Sequence, residues 1–180
     1  MTKRLVVIAG PNGAGKSTLV THHLRRRLPV VNPDDIALER GEPSEVLAAG
    51  REAVTRRLAL IAEGRSLAIE TTLTGQGELV FMRRAAAADY RIILIYVGIS
   101  DVYLSLSRVR ARVLLGGHDV PFEDLMRRYT RSIGNLPSAA ATADRVFVIE
   151  NDGPRRRLLR KIVGGRDVLQ TADLPAWANF

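Results

Sequence analysis

The apolar residues of this chain fall into five short runs, and a longer amphipathic stretch separates each run from the next. The runs are Leu5–Ala9, Pro29–Asn32, Ser66–Glu70, Arg91–Val97 and Arg145–Glu150. Such near-continuous runs are typical of strands that are buried on both faces of a parallel sheet. The intervening stretches predict helices at residues 17–28, 44–63, 78–88, 101–115 and 122–135. Strands that alternate with helices predict right-handed crossovers, and hence an α/β fold with a five-stranded parallel sheet.

A glycine-rich motif lies between the first strand and the first helix. It reads Gly10-Pro11-Asn12-Gly13-Ala14-Gly15-Lys16-Ser17-Thr18 and satisfies the pattern G-x-x-x-x-G-K-[ST]. Glycines allow successive N–H groups to point at the same phosphate oxygens, and the helix that follows adds its positive end. Lys16 is predicted to reach the β- and γ-phosphates, and the Ser17 hydroxyl to hold Mg²⁺. The strand–loop–helix context supports this interpretation, so the sequence predicts a nucleoside triphosphate site, with ATP and Mg²⁺ as the expected cofactors.

The residues after the second strand have two interpretations. Asn32-Pro33-Asp34-Asp35 is a good helix start, with Asn32 as the N-cap, proline at the first helical position and acids in the first turn. Asp34 also has the place of a general base, which takes the proton from an attacking hydroxyl. The residue types favour the two interpretations about equally.

The third strand ends in Glu70-Thr71-Thr72, which places a carboxylate at the same sheet edge as the glycine-rich loop. The ordinary alternative is a strand end followed by Ser/Thr turn chemistry. Because a carboxylate after an apolar run is rarely buried without a partner, we expect Glu70 to lie near Mg²⁺ or a substrate.

Residues 101–136 are predicted to form a helical lid. The helix that begins this segment carries Arg108 and Arg112 one turn apart on one flank. Its apolar stripe comprises Val102, Leu106, Val109 and Val113. Gly116-Gly117 is a flexible helix-end signal, and a hinged segment of this kind could bring positive charge to a transferring phosphoryl group. A solvated basic helix followed by a glycine turn is the alternative.

Composition narrows the class of protein. The 180 residues are 46% hydrophobic, enough for one domain with a sizeable core, and the absence of cysteine excludes disulfides and cysteine-ligated zinc. With no charged-then-apolar leader and no membrane-length apolar run, the sequence predicts a cytoplasmic protein with no membrane association. The net charge of +8 is accompanied by only 5% aromatic residues and no nucleic-acid-binding motif, so nucleic acid is not an expected partner. The arginine runs at residues 25–27 and 155–157 are expected on exposed helix faces.

Six blocks follow one another between about residues 4 and 155: GPNGAGKST, VNPDDIA, AIETTLTG, SRVRARVLLGGHDVP, RRYTRSIGNL and VFVIENDG. This order resembles the zeta-toxin family of P-loop kinases, and in particular its short, stand-alone bacterial members that are often labelled ABC-type ATPases. The resemblance implies a three-layer kinase-like fold, with one domain over residues 1–180. The ABC label itself is not supported, since the chain lacks an LSGGQ signature and an apolar strand that ends in Asp-Glu.

The resemblance also implies roles for individual residues. Asp34 would be the catalytic base, with Glu70 and Thr72 beside the substrate, and Arg108 and Arg112 would be the lid arginines. His118 and Arg128 are further candidates for substrate contacts. The better-known toxins phosphorylate a sugar hydroxyl of UDP-N-acetylglucosamine, and a small antitoxin protein blocks their ATP site. This chain is markedly shorter than those toxins, and it has Gly117-His118 where a second lid arginine is expected.

These features lead us to expect an ATP-dependent phosphotransferase that acts on a hydroxyl of a small nucleotide-linked or phosphorylated acceptor, such as UDP-N-acetylglucosamine or another UDP-sugar. A kinase for a nucleoside, an antibiotic or a sugar acid is the alternative within the same class. An ATP-binding switch or an ATPase without an acceptor is the alternative of another class. It predicts slow hydrolysis and little effect when Asp34 is removed.

Overall fold

Strands and helices alternate along the chain as the hydrophobic pattern predicts. The computed structural model describes residues 2–40, 46–114 and 120–180. The strands are β1 (Arg4–Ala9), β2 (Val30–Val31), β3 (Leu67–Thr71), β4 (Arg91–Gly98), β5 (Arg145–Glu150), β6 (Arg157–Val163) and β7 (Arg166–Gln170). The helices are α1 (Lys16–His23), α2 (Pro33–Arg40), α3 (Val46–Ala62), α4 (Gln76–Ala87), α5 (Val102–Leu114) and α6 (Phe122–Thr142), followed by a short 3₁₀ helix at Ala176–Ala178.

The five predicted strands form the parallel part of one sheet. The strand order is β2-β3-β1-β4-β5-β6-β7, and β1 to β5 run parallel to one another. β1 is buried from Leu5 onward, and its alternate residues enter different apolar clusters, with Val7 on one face of the sheet and Ile8 on the other. One cluster joins the sheet to α2, α3, α4 and α6, and the other joins it to α1 and α5. Helices thus cover both faces, and the predicted α/β class with three layers is confirmed.

The sheet has two more strands than the hydrophobic runs predict. β6 pairs antiparallel with β5, and β7 pairs antiparallel with β6. Gly164 and Gly165 join them with φ of 56° and 75°, which is the backbone that a tight two-residue hairpin turn requires. Arg157 opens β6, so the prediction that residues 155–157 lie on a helix is wrong. The same holds for residues 25–27, because α1 ends at His23 and those arginines lie in turns.

The second helix of the segment at residues 101–136 is longer than predicted. α6 continues seven residues beyond Asn135 and contains Pro137, despite the main-chain hydrogen bond that proline removes. Burial of Leu136 and Ala139 against the sheet explains the continuation, because the apolar face gained there offsets the lost bond. The same helix is fixed to β4, where the hydroxyls of Tyr96 and Ser132 lie 3.1 Å apart.

The apolar stripe of α5 packs as predicted. Val109 is buried together with Leu125 of α6 in a small cluster of their own, against which the rest of the stripe packs. The helix-end signal Gly116-Gly117 and the candidate His118 lie outside the described residues.

The C-terminal segment packs against the end of β4. The Trp177 ring lies 5.8 Å from the Tyr96 ring between centroids, and its Nε1 donates to the Ser100 hydroxyl at 3.1 Å. A Cβ on Gly98 would lie 2.3 Å from a ring carbon of Trp177. Only glycine therefore fits at residue 98 while the indole ring occupies this position.

Replacement of Gly98 by alanine should lower the free energy of unfolding by about 1–3 kcal/mol, because the added methyl group overpacks against a rigid ring. Urea denaturation measures the change. Gly134→Ala is the matched control, since Gly134 lies in the exposed part of α6 with no heavy atom near its missing Cβ, and alanine there should stabilise by about 0.5–1 kcal/mol. Equal stability of Gly98→Ala and the parent protein would show that Trp177 does not hold this position in solution.

Candidate active site

The glycine-rich loop follows β1 and adopts the tight curve that its sequence predicts. Gly10, Gly13 and Gly15 have φ of 141°, 73° and 83°, a region that side chains rarely allow. A Cβ on Gly10 would lie 2.0 Å from the carbonyl oxygen of Val97, and one on Gly13 would lie 2.8 Å from that of Ser105. The loop is therefore packed directly against β4 and α5 through its backbone.

Lys16 lies inside this curve. Its side chain is buried, and Nζ donates to the carbonyl oxygen of Pro11 at 2.9 Å. Burial lowers the pKa of Lys16 from 10.5 to about 8, with Arg112 acting in the same direction and the carboxylates of Glu70 and Asp34 opposing it. A cation is thus held at a desolvated position that an incoming anion can neutralise.

A chain of hydrogen bonds links the loop to the ends of β2 and β3. The Ser17 hydroxyl donates to Glu70 Oε1 at 2.7 Å, and Asn32 Nδ2 donates to Glu70 Oε2 at 3.2 Å. Asn32 Oδ1 accepts the main-chain N–H of Asp34 at 3.0 Å. Asn32 therefore caps α2, and this cap uses the main chain of Asp34 but not its carboxylate. The two interpretations of this segment are compatible, because one residue caps the helix while the next acid lines the cleft.

Burial raises the pKa of Glu70, and the negative charges of Asp34 and Asp35 add to this effect. The Ser17 hydroxyl and Lys16 act in the opposite direction. The ionised form of Glu70 is thus destabilised, and a cation beside the carboxylate would stabilise it. Hydroxyl and carboxylate oxygens are the ligands that Mg²⁺ prefers, so the donor set of Ser17 and Glu70 fits that ion. Among the described residues, no three His, Asp or Glu side chains cluster as a site that could hold a metal without further ligands.

Arg108 and Arg112 differ in their surroundings. Arg108 Nη1 donates to the carbonyl oxygen of Asn151 at 2.7 Å and lies 3.5 Å from that of Gly13, so it links α5 to the loop and to the segment after β5. Asn151 Nδ2 donates to the carbonyl oxygen of Ala14 at 2.8 Å from the same side. Arg112, one turn further along α5, lines the cleft beside Lys16.

The segment after β3 contains a strained residue. Leu73 follows the end of β3, is fully buried and has a φ of 58°, which is unfavourable for a leucine. Asn135 of α6 donates to its carbonyl oxygen at 2.9 Å, and the Thr71 hydroxyl accepts its N–H at 3.0 Å. These bonds fix the main chain on either side of Thr72, which lines the cleft.

These side chains surround one cleft with a volume of about 380 Å³. The predicted site residues that line it are Asn12, Gly13, Gly15, Lys16, Ser17, Thr18, Asp34, Glu70, Thr72, Arg108, Arg112 and Arg128. Gly10, Pro11 and Ala14 do not line it but shape the loop behind it. His118 lies outside the described residues. The structure thus brings the described candidates together, while their chemical roles stay predictions.

Arg57 of α3 and Glu78 of α4 also line the cleft, although neither was a candidate from the sequence. A signal for Arg57 was present: Ala49, Ala53 and Arg57 are spaced four residues apart, and all three are buried. An arginine on the buried stripe of a helix is unusual and marks a polar site behind it.

The family comparison adds to this geometry. A family model described as an AAA domain matches residues 5–131.

The chain belongs to this AAA domain family.

All residues that line the cleft lie within the matched part of the AAA domain. An uncharacterized protein of Haemophilus influenzae is 31% identical over 132 residues, which cover 72% of this chain and 94% of that protein.

Solved structures share the fold of this AAA domain at low sequence identity. A chain of the AvrRxo1-ORF1:-ORF2 structure with ATP matches with a TM-score of 0.71 and 14% identity, over 93% of this chain and 60% of that chain. A chain of the PezAT chromosomal toxin–antitoxin system of Streptococcus pneumoniae matches with a TM-score of 0.63 and 18% identity, over 89% and 71%. The AAA domain therefore spans about three fifths of the AvrRxo1 chain. The predicted P-loop kinase-like fold class is confirmed.

No helix among the described residues of the AAA domain is long and apolar enough to cross a membrane.

The buried cation of the loop should make the ligand-free protein less stable. Because the pKa of Lys16 is about 8 in the folded chain and 10.5 in the unfolded one, the unfolded chain holds the proton more tightly. Lys16→Met should therefore raise the free energy of unfolding at pH 7, and this gain should shrink as the pH rises from about 8 to 10.5. Urea denaturation of both proteins across this range measures it. A difference that does not vary with pH would show that Lys16 is not desolvated.

Proposed function

We propose that the chain is a phosphotransferase that moves the terminal phosphoryl group of Mg·ATP to a hydroxyl of a small nucleotide-linked or phosphorylated acceptor. One observation carries the proposal: the phosphate loop with Lys16, the hydrogen-bonded pair Ser17 and Glu70, and the carboxylate of Asp34 all line a single cleft. A nucleotide switch needs the first group, whereas the carboxylate of Asp34 in the same cleft provides the base that transfer to a hydroxyl requires.

The roles follow from the positions. The loop N–H groups and Lys16 bind the phosphates, and Ser17 with Glu70 beside it would hold Mg²⁺, which would supply further positive charge to the phosphates. Asp34 accepts the proton of the acceptor hydroxyl as the hydroxyl oxygen bonds to the terminal phosphorus. The bond from that phosphorus to the bridging oxygen breaks, and ADP leaves with the electron pair. Arg112 stabilises the negative charge that spreads over the transferred group.

The position of Arg108 supports a different role from that of Arg112. Arg108 donates to main-chain oxygens of the loop and of the segment after β5. It would therefore hold the nucleotide side of the cleft in shape, whereas Arg112 would contact the moving phosphoryl group.

The zeta-toxin resemblance makes a UDP-sugar such as UDP-N-acetylglucosamine the acceptor to test, and an antitoxin the protein partner to look for. The similar AvrRxo1 and PezAT structures support only the search for a protein partner, because the first contains the products of two open reading frames and the second belongs to a toxin–antitoxin system. Another small-molecule acceptor, such as a nucleoside, an antibiotic or a sugar acid, is the alternative.

Asp34→Asn should abolish transfer, with a loss of about 10²–10⁴-fold, while ATP affinity changes little. Because the helix cap uses Asn32 and the main chain of residue 34, the substitution leaves the cap in place. Asp35→Asn is the matched control, since Asp35 pairs with Arg25 at 2.6 Å on the surface and should have no effect on transfer. The measurement is mass spectrometry of acceptor panels of UDP-sugars, nucleosides and sugar acids incubated with Mg·ATP.

A product heavier by one phosphoryl group, absent with Asp34→Asn, would support the proposal and identify the acceptor class. Unchanged transfer by Asp34→Asn would show that Asp34 is not the base. Its role would then be limited to the helix start that Asn32 caps. ATP binding without a modified acceptor on the whole panel would favour a switch.

Arg112→Ala should lower turnover by about 10³-fold but weaken ATP binding far less, because its contact strengthens in the transition state. Arg110→Ala is the control, as Arg110 lies on the exposed flank of the same helix. Single-turnover kinetics and nucleotide titration separate the two effects. Equal losses in turnover and ATP affinity would identify Arg112 as a clamp on bound phosphates instead.

A further inference from the structure

Arg57 is a buried cation that the proposed transfer does not use. Only 6% of its surface is exposed, comparable to the buried Lys16. It occupies the buried stripe of α3 after Ala49 and Ala53, and it reaches the cleft from the side opposite to α5. Arginine carries its charge under all ordinary conditions, so this position places a permanent positive charge away from water.

The charge of Arg57 is poorly compensated. Among the hydrogen bonds of the described residues, its Nε has no partner although the atom is buried. Burial lowers the pKa of Arg57, and the attraction of Glu78 opposes this only in part. A buried charge that is incompletely paired destabilises the folded protein. A ligand that pairs with the guanidinium group of Arg57 would remove this cost.

The strand order shows at which end of the cleft Arg57 lies. β1 and its loop lie between β3 and β2 on one side and β4 and β5 on the other. Arg108 and Asn151 belong to the β4–β5 side, where they bind the back of the loop. Arg57 comes from α3, which packs with α2 on the β2–β3 side, the side that also carries Asp34.

We propose that Arg57 binds an oxyanion, a carboxylate or a phosphate, on the non-reacting part of the acceptor. Its planar fork of N–H groups matches both groups with two parallel hydrogen bonds. Glu78, half-buried in the same wall, is placed to accept a hydroxyl of the same molecule. The cleft as a whole favours an anion, with five cationic and three anionic side chains along it. The identity of the bound molecule as an acceptor rests on the proposed function. Binding of an anion at Arg57 can be tested without phosphoryl transfer.

The direct test fills the nucleotide site first. Protein saturated with Mg²⁺ and adenylyl-imidodiphosphate is titrated with inorganic phosphate, and separately with acetate, in a calorimeter. Arg57→Gln should weaken binding of the preferred anion by at least about tenfold. Arg56→Gln is the matched control, because the neighbouring Arg56 pairs at the surface with Glu39 and Glu52 among the described residues, and this variant should bind as the parent protein does. Equal binding by Arg57→Gln and the parent would overturn the inference.

Stability separates a binding residue from a structural one. Arg57→Met keeps the apolar stem and removes the uncompensated charge, so its melting temperature should be equal to or higher than that of the parent. If Arg57 instead holds the helices together, Arg57→Met should melt lower while anion binding by the folded fraction is unchanged. That result would overturn the inference even where Arg57→Gln fails to fold.

Acceptor kinetics identify the source of the anion. Pairs of acceptors that differ only in a phosphate or a carboxylate are compared, and Arg57→Gln should raise KM at least about tenfold for the anionic member while kcat changes little. A KM that Arg57→Gln leaves unchanged for every anionic acceptor would count against the inference. Loss of anion binding in Arg57→Gln, together with no transfer to any acceptor, would support the anion site and reject the phosphotransferase proposal.

Discussion

The contact of main chain with main chain behind the glycine-rich loop determines the rest of the site. At Gly10 the backbone approaches the carbonyl oxygen of Val97 so closely that any side chain would collide, and at Gly13 it does the same toward Ser105. If the loop moved away from β4 or α5, it would leave a gap in the packed interior. Lys16 and Ser17 follow directly, so their side chains begin from a fixed backbone. Glu70 accepts from the Ser17 hydroxyl, and Asn32 donates to the other oxygen of the same carboxylate.

The site also concentrates unfavourable electrostatics in a small volume. Lys16 and Arg57 are buried cations, and Glu70 is a buried carboxylate whose neighbours include two further acids. Each charge is only partly balanced by the others, which makes the empty cleft costly to maintain. Ligands that bring phosphate oxygens and a divalent ion would complete the balance. The protein should thus gain stability on binding in proportion to how well each charge is paired.

Much of this arrangement could be predicted from the sequence, because the signals were local. The glycines of the nine-residue loop predict its tight conformation, and Asn32-Pro33 predicts the start of α2. The hairpin of β6 and β7 was missed although Gly164-Gly165 is a recognised turn signal, since its strands carry many charged residues. Arg57 could not be assigned a role in advance, because its burial depends on how α3 packs against α2 and the sheet. The end of α6 was missed for a related reason, as tertiary packing outweighs the helix-breaking tendency of Pro137.

The attachment of α5 to the loop limits the motion that this helix can make. Ser105 donates its hydroxyl to the carbonyl oxygen of Asn12 at 2.5 Å, and Arg108 binds the oxygen of Asn151 one turn later. Arg112 lies four residues beyond that second anchor, which is about 6 Å along a helix. Because this distance is short, rotation of the helix about Arg108 displaces the backbone of Arg112 very little. The reach of the guanidinium group must come from its own rotatable bonds, and its positioning then depends on side-chain entropy more than on the movement of a domain.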